Sequence, residues 1–333
     1  MSQTEVTILR EFLAAGSGLV SGTRLAKLLG VSRVAVWMQL QKLTKQGFGF
    51  EAVRSRGYRL RQTPGQLHLA LVQAHLIRAK GRPHLVCLDT VDSTNSEAER
   101  QLAAGCAVPL VILAREQTQG RGRRGRVWHS PAVGNLYCTF VFRPQLGPEQ
   151  LQDFTLWMGL NLCELLVNFC KLTPRLKWPN DLYVGERKAG GILTEARIDA
   201  DQIRDLVFGL GLNLNGRTRD LPRELQLTAT SLAEAIGAPV DLNRFAAALI
   251  GRVQTAYGQF MAGDYRDKFA DLWQQFDLLR GRQVTVSQGN RQVTGNAMGI
   301  DDEGSLIVRL KSGGTERFRA GEVTLSRVES LAT

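Results

Sequence analysis

The segment from Gly120 to Arg126, GRGRRGR, concentrates four arginines and three glycines in seven residues. Guanidinium groups on a glycine-rich loop, together with its backbone N–H groups, can close over a ligand that carries several negative charges. The first six residues also satisfy the dinucleotide pattern G-x-G-x-x-G, and arginine–glycine tracts can bind RNA. The elements that flank the loop decide between these chemistries.

The apolar run PLVILAREQ before the loop predicts a buried strand, and VWHSPAVGNLYCTFVFR after it predicts a second strand instead of a helix. A dinucleotide site needs a helix there and an acidic residue about 20 residues further on, and the stretch from Gly134 to Arg143 contains none. The phosphate-loop motif G-x-x-x-x-G-K-[ST] is absent. RNA-binding arginine–glycine tracts are long and repetitive, whereas this chain has a single short arginine–glycine segment between two apolar strands. A solvated turn would explain only one or two of its four arginines. We therefore favour a mobile strand-to-strand loop that closes over an anionic ligand.

Two further motifs supply polar side chains. DSTNSEA follows an apolar run and offers the hydroxyl and amide groups of Ser93, Thr94 and Asn95 at the end of a strand. The same residues resemble a capping box with Glu97, and both roles can coexist. KWPND combines a cation, an aromatic–proline corner, an amide and a carboxylate, and the strands after it turn at Gly185. Lys188 emerges from that turn, where a lysine can bridge a carboxylate and a phosphate.

The first 62 residues carry ten Lys or Arg against three Asp or Glu, a net charge of +7 out of +11 for the chain. This imbalance predicts a module that meets a polyanion. Helical periodicity, a stop at Gly30 and a cap at Ser32 predict a helix-turn-helix. FGFEAVRSRGYRLRQ then alternates on both sides of a turn, the pattern of a basic β-hairpin wing.

In the third helix, Val36, Leu40 and Leu43 are predicted to face the core. The helical period then turns five residues outward: Val34, Trp37, Met38, Gln41 and Lys45. Gln41 and Lys45 suit a DNA groove, whereas Trp37 either reads DNA or packs on the neighbouring domain. The predicted DNA-binding residues are Ser32, Arg33, Trp37, Gln41, Lys45, Arg54 and Arg56. A helix-turn-helix that makes only protein contacts is the alternative.

We predict four segments: a winged helix-turn-helix at 1–63, a linker at 64–79, a mixed α/β catalytic domain at 80–278 and a small barrel at 279–333. The last segment contains five short alternating runs separated by turn signals. No run of about 18 apolar residues and no signal peptide is found, so we expect a cytoplasmic protein without a membrane partner. Five cysteines without a C-x-x-C pair and four unpaired histidines predict no protein metal site.

DSTN, GRGRRGR with its downstream W-x-S-P, KWPNDL, RK-x-x-GIL and GLGLN-x-N occur in the order and spacing of the biotin–protein ligases. The resemblance spans the whole chain and extends to the bifunctional bacterial form, which is also the repressor of the biotin operon. It implies an α+β protein with a winged helix, a catalytic domain like that of class II synthetases and lipoate ligases, and an SH3-like barrel.

The resemblance implies that biotin reacts with ATP, with Mg²⁺ held largely by the phosphates, to form biotinyl-AMP and then biotinylates a carrier-protein lysine. Lys188 and Arg123 are the implied catalytic residues. Implied biotin contacts are Ser93, Thr94, Asn95, Gln117, Arg121, Gly122, Arg123 and Lys188. Implied nucleotide contacts are Arg121, Arg123, Trp128, Lys177, Asn180, Asp181, Lys188 and Asn213.

The implied partners are the biotin carboxyl carrier protein, biotin operator DNA and, when the adenylate is bound, a second copy of the chain. Two alternatives remain open from the sequence. One is a ligase whose winged helix no longer binds DNA, because Trp37 and Met38 are poor groove readers. The other is a regulator whose central domain senses biotin without catalysis.

Overall fold

The computed structural model describes residues 3–76 and 83–325, which form three regions with a helix between the first two. The winged-helix module comprises α1 (Gln3–Ala15), α2 (Gly22–Leu29), α3 (Arg33–Lys45), β1 (Gly49–Val53) and β2 (Gly57–Gln62). Ser32 begins α3, and its Oγ accepts a hydrogen bond from the backbone N–H of Ala35 at 3.1 Å. The predicted helix-turn-helix and wing are therefore confirmed.

The core of the module is built by the predicted stripe of α3. Val36, Leu40 and Leu43 are buried together with residues of α1 and with Phe48. Trp37 lies on the opposite side of the helix and is 50% exposed. Of its two predicted roles, packing on the neighbouring domain is therefore wrong.

The segment 64–79, predicted as a linker, contains a packed helix, α4 (Leu69–His75). Leu71 belongs to the core of the winged-helix module, and Val72 belongs to the core of the central domain. A helix this short with apolar residues on two sides has no clear helical period in the sequence. The predicted boundary between residues 79 and 80 lies outside the described residues.

Side chains of the central domain hold this segment in place. The Nδ2 of Asn243 donates to the carbonyl of Gln66 at 3.0 Å, and its Oδ1 accepts from the backbone N–H of His68 at 2.7 Å. The guanidinium of Arg115 donates through Nε and Nη2 to the carbonyl of Leu67. The winged-helix module is thus attached through a fixed backbone segment.

The central domain is a seven-stranded mixed sheet in the order β3-β4-β5-β9-β8-β7-β6, in which only β3 and β4 are parallel. One face carries α5, whose Ala98 and Leu102 pack on alternate residues of β4. The other face carries α6 and α9. The strands are β3 (His84–Val91), β4 (Leu110–Gln117), β5 (Leu136–Phe142), β6 (Pro174–Lys177), β7 (Asp181–Val184), β8 (Arg187–Asp199) and β9 (Gln202–Leu212); the helices are α5 (Thr94–Ala103), α6 (Leu151–Cys170), α7 (Arg223–Gln226), α8 (Leu232–Ile236), α9 (Leu242–Ala262) and α10 (Arg266–Phe276).

The C-terminal region contains the five predicted strands, which form one antiparallel sheet in the order β13-β12-β11-β10-β14. Their bounds are β10 (Gln283–Gln288), β11 (Arg291–Ile300), β12 (Leu306–Leu310), β13 (Thr315–Phe318) and β14 (Glu322–Leu325). Val284, Leu306 and Phe318 belong to the same hydrophobic cluster as the central domain. The predicted end of this segment, 326–333, lies outside the described residues.

Within the described part of the chain, no helix has both the length and the apolar character that crossing a bilayer requires.

Candidate active site

A cavity of about 460 Å³ opens between the arginine–glycine loop, the start of α5 and the strands β8 and β9. It brings together all but one of the ligand-site residues predicted for the central domain: Ser93, Thr94, Asn95, Gln117, Arg121, Gly122, Arg123, Trp128, Lys177, Asn180, Asp181 and Lys188. These residues come from segments up to about 95 positions apart in the sequence. The fold therefore assembles one site from the separate motifs.

The exception is Asn213. Its side chain is buried and its Nδ2 donates to the carbonyl of Thr230 at 3.1 Å, while its backbone N–H donates to the carbonyl of Ala189. The amide therefore holds the segment after β9 against neighbouring backbone and does not line the cavity. From the sequence, a polar residue at a strand end fits a ligand contact and a backbone-supporting contact equally well.

A second cavity, of about 580 Å³, lies beside the first and shares four residues with it: Arg123, Pro179, Asn180 and Ile192. Its remaining walls come from the start of α6 and the residues just before it, from Thr194 on β8, and from Glu303 and Arg319 in the C-terminal region. Asp153, on α6, lines this second cavity, and burial raises the pKa of its carboxyl to about 6. Because only two predicted site residues reach this larger space, we assign the site to the first cavity.

The arginine–glycine loop forms a tight hairpin. The backbone N–H of Trp128 donates to the carbonyl of Gly120 at 2.8 Å, and that of Gly122 donates to the carbonyl of Arg126 at 2.7 Å. Arg124, at the tip, has a φ of 54°. A Cβ on Gly120 would lie 2.3 Å from the carbonyl oxygen of Trp128, so this position requires glycine. The flanking strands β4 and β5 are those predicted.

Buried polar groups line one end of the cavity. The backbone N–H and the hydroxyl of Thr94 both donate to Oε1 of Gln117, at 2.8 and 3.1 Å, and the Nε2 of Gln117 donates to Ser130. Ser93 precedes α5, but its side chain makes no capping hydrogen bond. Ser93 therefore occupies the N-cap position, but the side-chain hydrogen bond of the capping box is absent, and the Ser93 hydroxyl is not committed to the helix end.

Glu195 on β8 is a site residue that the motifs did not predict. Its Oε2 accepts from the Nδ2 of Asn95 at 2.7 Å, and its Oε1 accepts from the Nη2 of Arg121 at 2.5 Å. The Oδ1 of Asn95 accepts from the hydroxyl of Thr139 at 2.6 Å. Both ends of the Asn95 amide are thus fixed, and the same carboxylate holds the loop. In the sequence, the only indication of a site role for Glu195 was its position within GILTEA.

Two glycines form the floor of the cavity. A Cβ on Gly209 would lie 2.2 Å from Oδ1 of Asn95, and a Cβ on Gly211 would lie 2.4 Å from Nε1 of Trp128. The spacing of the glycines in FGLGLNLN therefore lets the Asn95 and Trp128 side chains lie directly on β9. Trp128 is partly buried, but it lines the cavity and is not a core aromatic.

Lys188 lies at the centre of the charged groups. Its Nζ is 2.6 Å from Oδ1 of Asp181 and 5.2 Å from the centroid of the Trp128 ring. Strands β7 and β8 pair in antiparallel fashion around the predicted turn at Gly185, which places Lys188 and Asp181 on neighbouring strands. The ammonium group is therefore held in the cavity by a carboxylate and an aromatic face.

Two further cations are partly buried. The Nη1 of Arg123 donates to Oδ1 of Asn180 at 3.3 Å, and no carboxylate among the described residues forms an ion pair with Arg123. Burial lowers the pKa of Arg123 below its ordinary value, and burial also lowers the pKa of Lys177. In both cases burial disfavours the charged form, and an anionic ligand in the cavity would stabilise it.

The predicted DNA-binding side chains lie on the exposed surface of the winged-helix module. Lys27, Arg33, Lys45, Arg54 and Arg56 are exposed, and none forms an ion pair with a described acidic residue. The three acidic residues of the module already pair with other cations, Glu5 with Lys42, Glu11 with Arg24 and Glu51 with Arg59 and Arg61. Five positive charges are therefore left for an external anion.

Comparison with known families agrees with this architecture. Residues 88–213 match the biotin/lipoate A/B protein ligase family, residues 5–59 match an HTH domain, and residues 280–326 match the biotin protein ligase C-terminal domain.

Two relatives resemble nearly the whole chain. The bifunctional ligase/repressor BirA of Bacillus spizizenii is 32% identical over 91% of this chain and 93% of its own length. The protein of the same name from Escherichia coli is 32% identical over 95% of this chain and 96% of its own length. A solved structure, the biotin protein ligase from Aquifex aeolicus in complex with biotin and ATP, has a TM-score of 0.62 and 29% identity, covering 73% of this chain and 99% of that one. The chain therefore belongs to the biotin–protein ligase family, in its bifunctional ligase/repressor form.

Proposed function

We propose that this protein joins biotin to ATP to form biotinyl-5′-AMP, transfers biotin to a lysine of the biotin carboxyl carrier protein, and represses the biotin operon through its winged helix. The observation that carries the enzymatic part is the single cavity in which Lys188, Arg123 and the polar groups of 93–95 face one another. Its family membership and the relatives' names support the same reaction.

In the first step, a carboxylate oxygen of biotin attacks the α-phosphorus of ATP, and the bond to pyrophosphate breaks. Two anions must approach each other, so cations fixed before the reaction supply most of the stabilisation. Lys188 is held by Asp181 at 2.6 Å and bridges the carboxylate and the α-phosphate. The guanidinium of Arg123, whose only hydrogen-bond partner among the described residues is the amide oxygen of Asn180, binds the phosphates.

Biotin carries a ureido group that both donates and accepts hydrogen bonds. Ser93, Thr94 and Asn95 bind this head group at the buried end of the cavity, with Gln117 beside them. Because Thr139 and Glu195 fix the amide of Asn95, its orientation is set before the ligand binds. The backbone of the loop around Gly122 covers the ligand, and Trp128 stacks beside the adenine.

We propose that ATP binds together with Mg²⁺, which would supply positive charge beside the leaving pyrophosphate. The cavity offers it the carboxylate of Asp181 and the amide oxygen of Asn180. The described residues contain no group of three or more His, Cys, Asp or Glu side chains that could hold a metal by themselves. One carboxylate with substrate phosphates is a usual way for a protein to hold this ion.

In the second step, the ε-amine of the carrier lysine attacks the carbonyl carbon of biotinyl-AMP, loses a proton and displaces AMP. DNA binding uses the exposed cations of the winged-helix module. We also propose that the adenylate-bound chain forms a symmetric dimer, since the two copies of α3, the recognition helix of each module, would then match a two-fold operator.

The direct test incubates the protein with biotin, ATP, Mg²⁺ and a biotin carboxyl carrier domain, and measures biotin on the carrier by mass spectrometry. A carrier with its acceptor lysine changed to arginine is the matched control. We expect transfer only to the unaltered carrier and only with ATP. Binding of operator DNA without transfer would instead identify a biotin-sensing regulator, and transfer without DNA binding would leave only the ligase.

A further inference from the structure

The outward surface of the helix-turn-helix carries several exposed apolar side chains. Of the twelve large apolar side chains that the described part of the chain leaves exposed, five fall between residues 28 and 38. We call them the apolar face: Leu28, Val31, Val34, Trp37 and Met38. Scattered single exposed apolar residues are normal on a protein surface, whereas a concentration of them within eleven residues indicates a binding surface.

Three of the five residues of the apolar face lie on the outward side of α3, and Leu28 and Val31 lie on α2 and in the turn before α3. Val34, Trp37 and Met38 are spaced i, i+3 and i+4, so they share one side of the helix, opposite the buried Val36 and Leu40. They are 67%, 50% and 60% exposed, respectively. None of the three is needed for the core of the module or for its attachment to the central domain.

The charge around this face indicates its occupant. Arg33 and Lys45 lie on the same helix, Arg54 and Arg56 lie at the turn of the wing, and all four are exposed without an acidic partner among the described residues. A surface with an apolar centre and a cationic rim complements the major groove, where phosphates border the exposed base edges. The apolar group that the groove presents is the C5-methyl group of thymine.

We infer that the apolar face reads thymine methyl groups in the major groove, while the surrounding cations bind the flanking phosphates. This inference rests on the proposed DNA binding and specifies its chemistry. Val34, Trp37 and Met38 contact the methyl groups, and Gln41 one turn further along the same side contacts a base edge. The module therefore prefers A·T-rich half-sites through apolar contacts instead of bidentate arginine–guanine pairs.

The experiment selects binding sites from random 30-base-pair duplexes with the full-length protein, biotin and ATP. Each thymine of the selected site is then replaced in turn by deoxyuridine, which removes only the methyl group. We expect deoxyuridine at a contacted position to weaken binding about fourfold, the effect of taking one buried methylene-sized group out of apolar contact. The substitution Trp37→Ala should abolish the difference between thymine and deoxyuridine at the base it contacts.

Two controls separate methyl reading from other effects. Met261→Ala alters a methionine on α9 that is 37% exposed and distant in sequence from the module, and it should leave the discrimination unchanged. Lys45→Gln should reduce the salt dependence of binding by about one counterion while leaving the discrimination between thymine and deoxyuridine unchanged.

Equal binding of thymine and deoxyuridine at every selected position would overturn the inference. Discrimination that survives Trp37→Ala, Val34→Ser and Met38→Lys would do so as well. If these variants weaken self-association without DNA and leave DNA binding unchanged, the face is a protein interface. Failure to select any duplex, with biotin transfer to the carrier intact, would refute the proposed DNA binding itself.

Discussion

Two arginine-rich regions of this chain meet anions in opposite ways. In the loop 120–126, three arginines are held by other elements: Arg121 by Glu195, Arg123 by Asn180 and Arg126 by Glu322. In the winged-helix module, five cations have no described acidic partner. Fixed cations around a cavity stabilise the charge of one small ligand at one place. Free cations on an open surface suit a long polyanion whose phosphates repeat.

The largest effect is expected at the centre of the fixed set. Lys188→Ala should lower the rate of adenylate formation by roughly 10²–10³-fold, the cost of losing one positioned transition-state donor. Single-turnover formation of biotinyl-AMP measures it. Lys311→Ala, an exposed lysine in the C-terminal region, is the control. A loss of less than about tenfold would remove Lys188 from the reacting site.

Salt concentration should affect DNA binding by the winged-helix module much more than adenylate formation in the cavity. If four of the free cations in one module contact phosphates, raising the salt from 50 to 200 mM should weaken DNA binding by about 10²-fold, since each contact releases about 0.9 counterion. The cavity cations are partly buried and screened less, so adenylate formation should change by less than about threefold. Parallel titrations of gel shift and single-turnover rate compare them. Equal salt dependence would contradict the distinction.

The smallest predicted effect concerns how the loop is held. Glu195→Gln should raise the KM for biotin by about tenfold with little change in kcat, because Arg121 and Asn95 lose a charged hydrogen-bond partner that orients them for binding. Glu99→Gln is the matched control, since Glu99 lies 3.5 Å from the same guanidinium and is more exposed. Steady-state kinetics on both variants measure the KM for biotin and kcat. Similar effects of the two substitutions would show that Glu195 has no special role.

The elements were largely predictable because their signals are local. The stripe of α3, the wing, the strands on both sides of GRGRRGR and the five C-terminal strands follow from periodicity and turn residues. The packed helix α4 was missed because its apolar residues divide between two cores. The sequence left Ser93 with two compatible roles, a helix cap and a ligand contact, since a hydroxyl before a helix fits both, and only the structure shows that its side chain makes no capping hydrogen bond.

Only the tertiary structure distinguished residues that line the site from residues that support the backbone around it. Asn213 belongs to a motif of the family, yet its amide is bonded to backbone outside the cavity. Glu195 lies in no motif that the sequence marked as polar chemistry, yet it links Asn95 to the loop. Both outcomes depend on which strands lie side by side in the seven-stranded sheet.

The sequence by itself determined the kinds of chemistry present: a cationic glycine-rich loop, a basic winged helix, and the motifs that identify a biotin–protein ligase. These are properties of residue type and short-range spacing. The tertiary structure decided which charges are compensated and which are free, because that depends on contacts between residues distant in the chain. It brought Asp181 to Lys188, Asn180 to Arg123 and Glu322 to Arg126. It also left Trp37 exposed near cations that have no acidic partner in the described part of the chain.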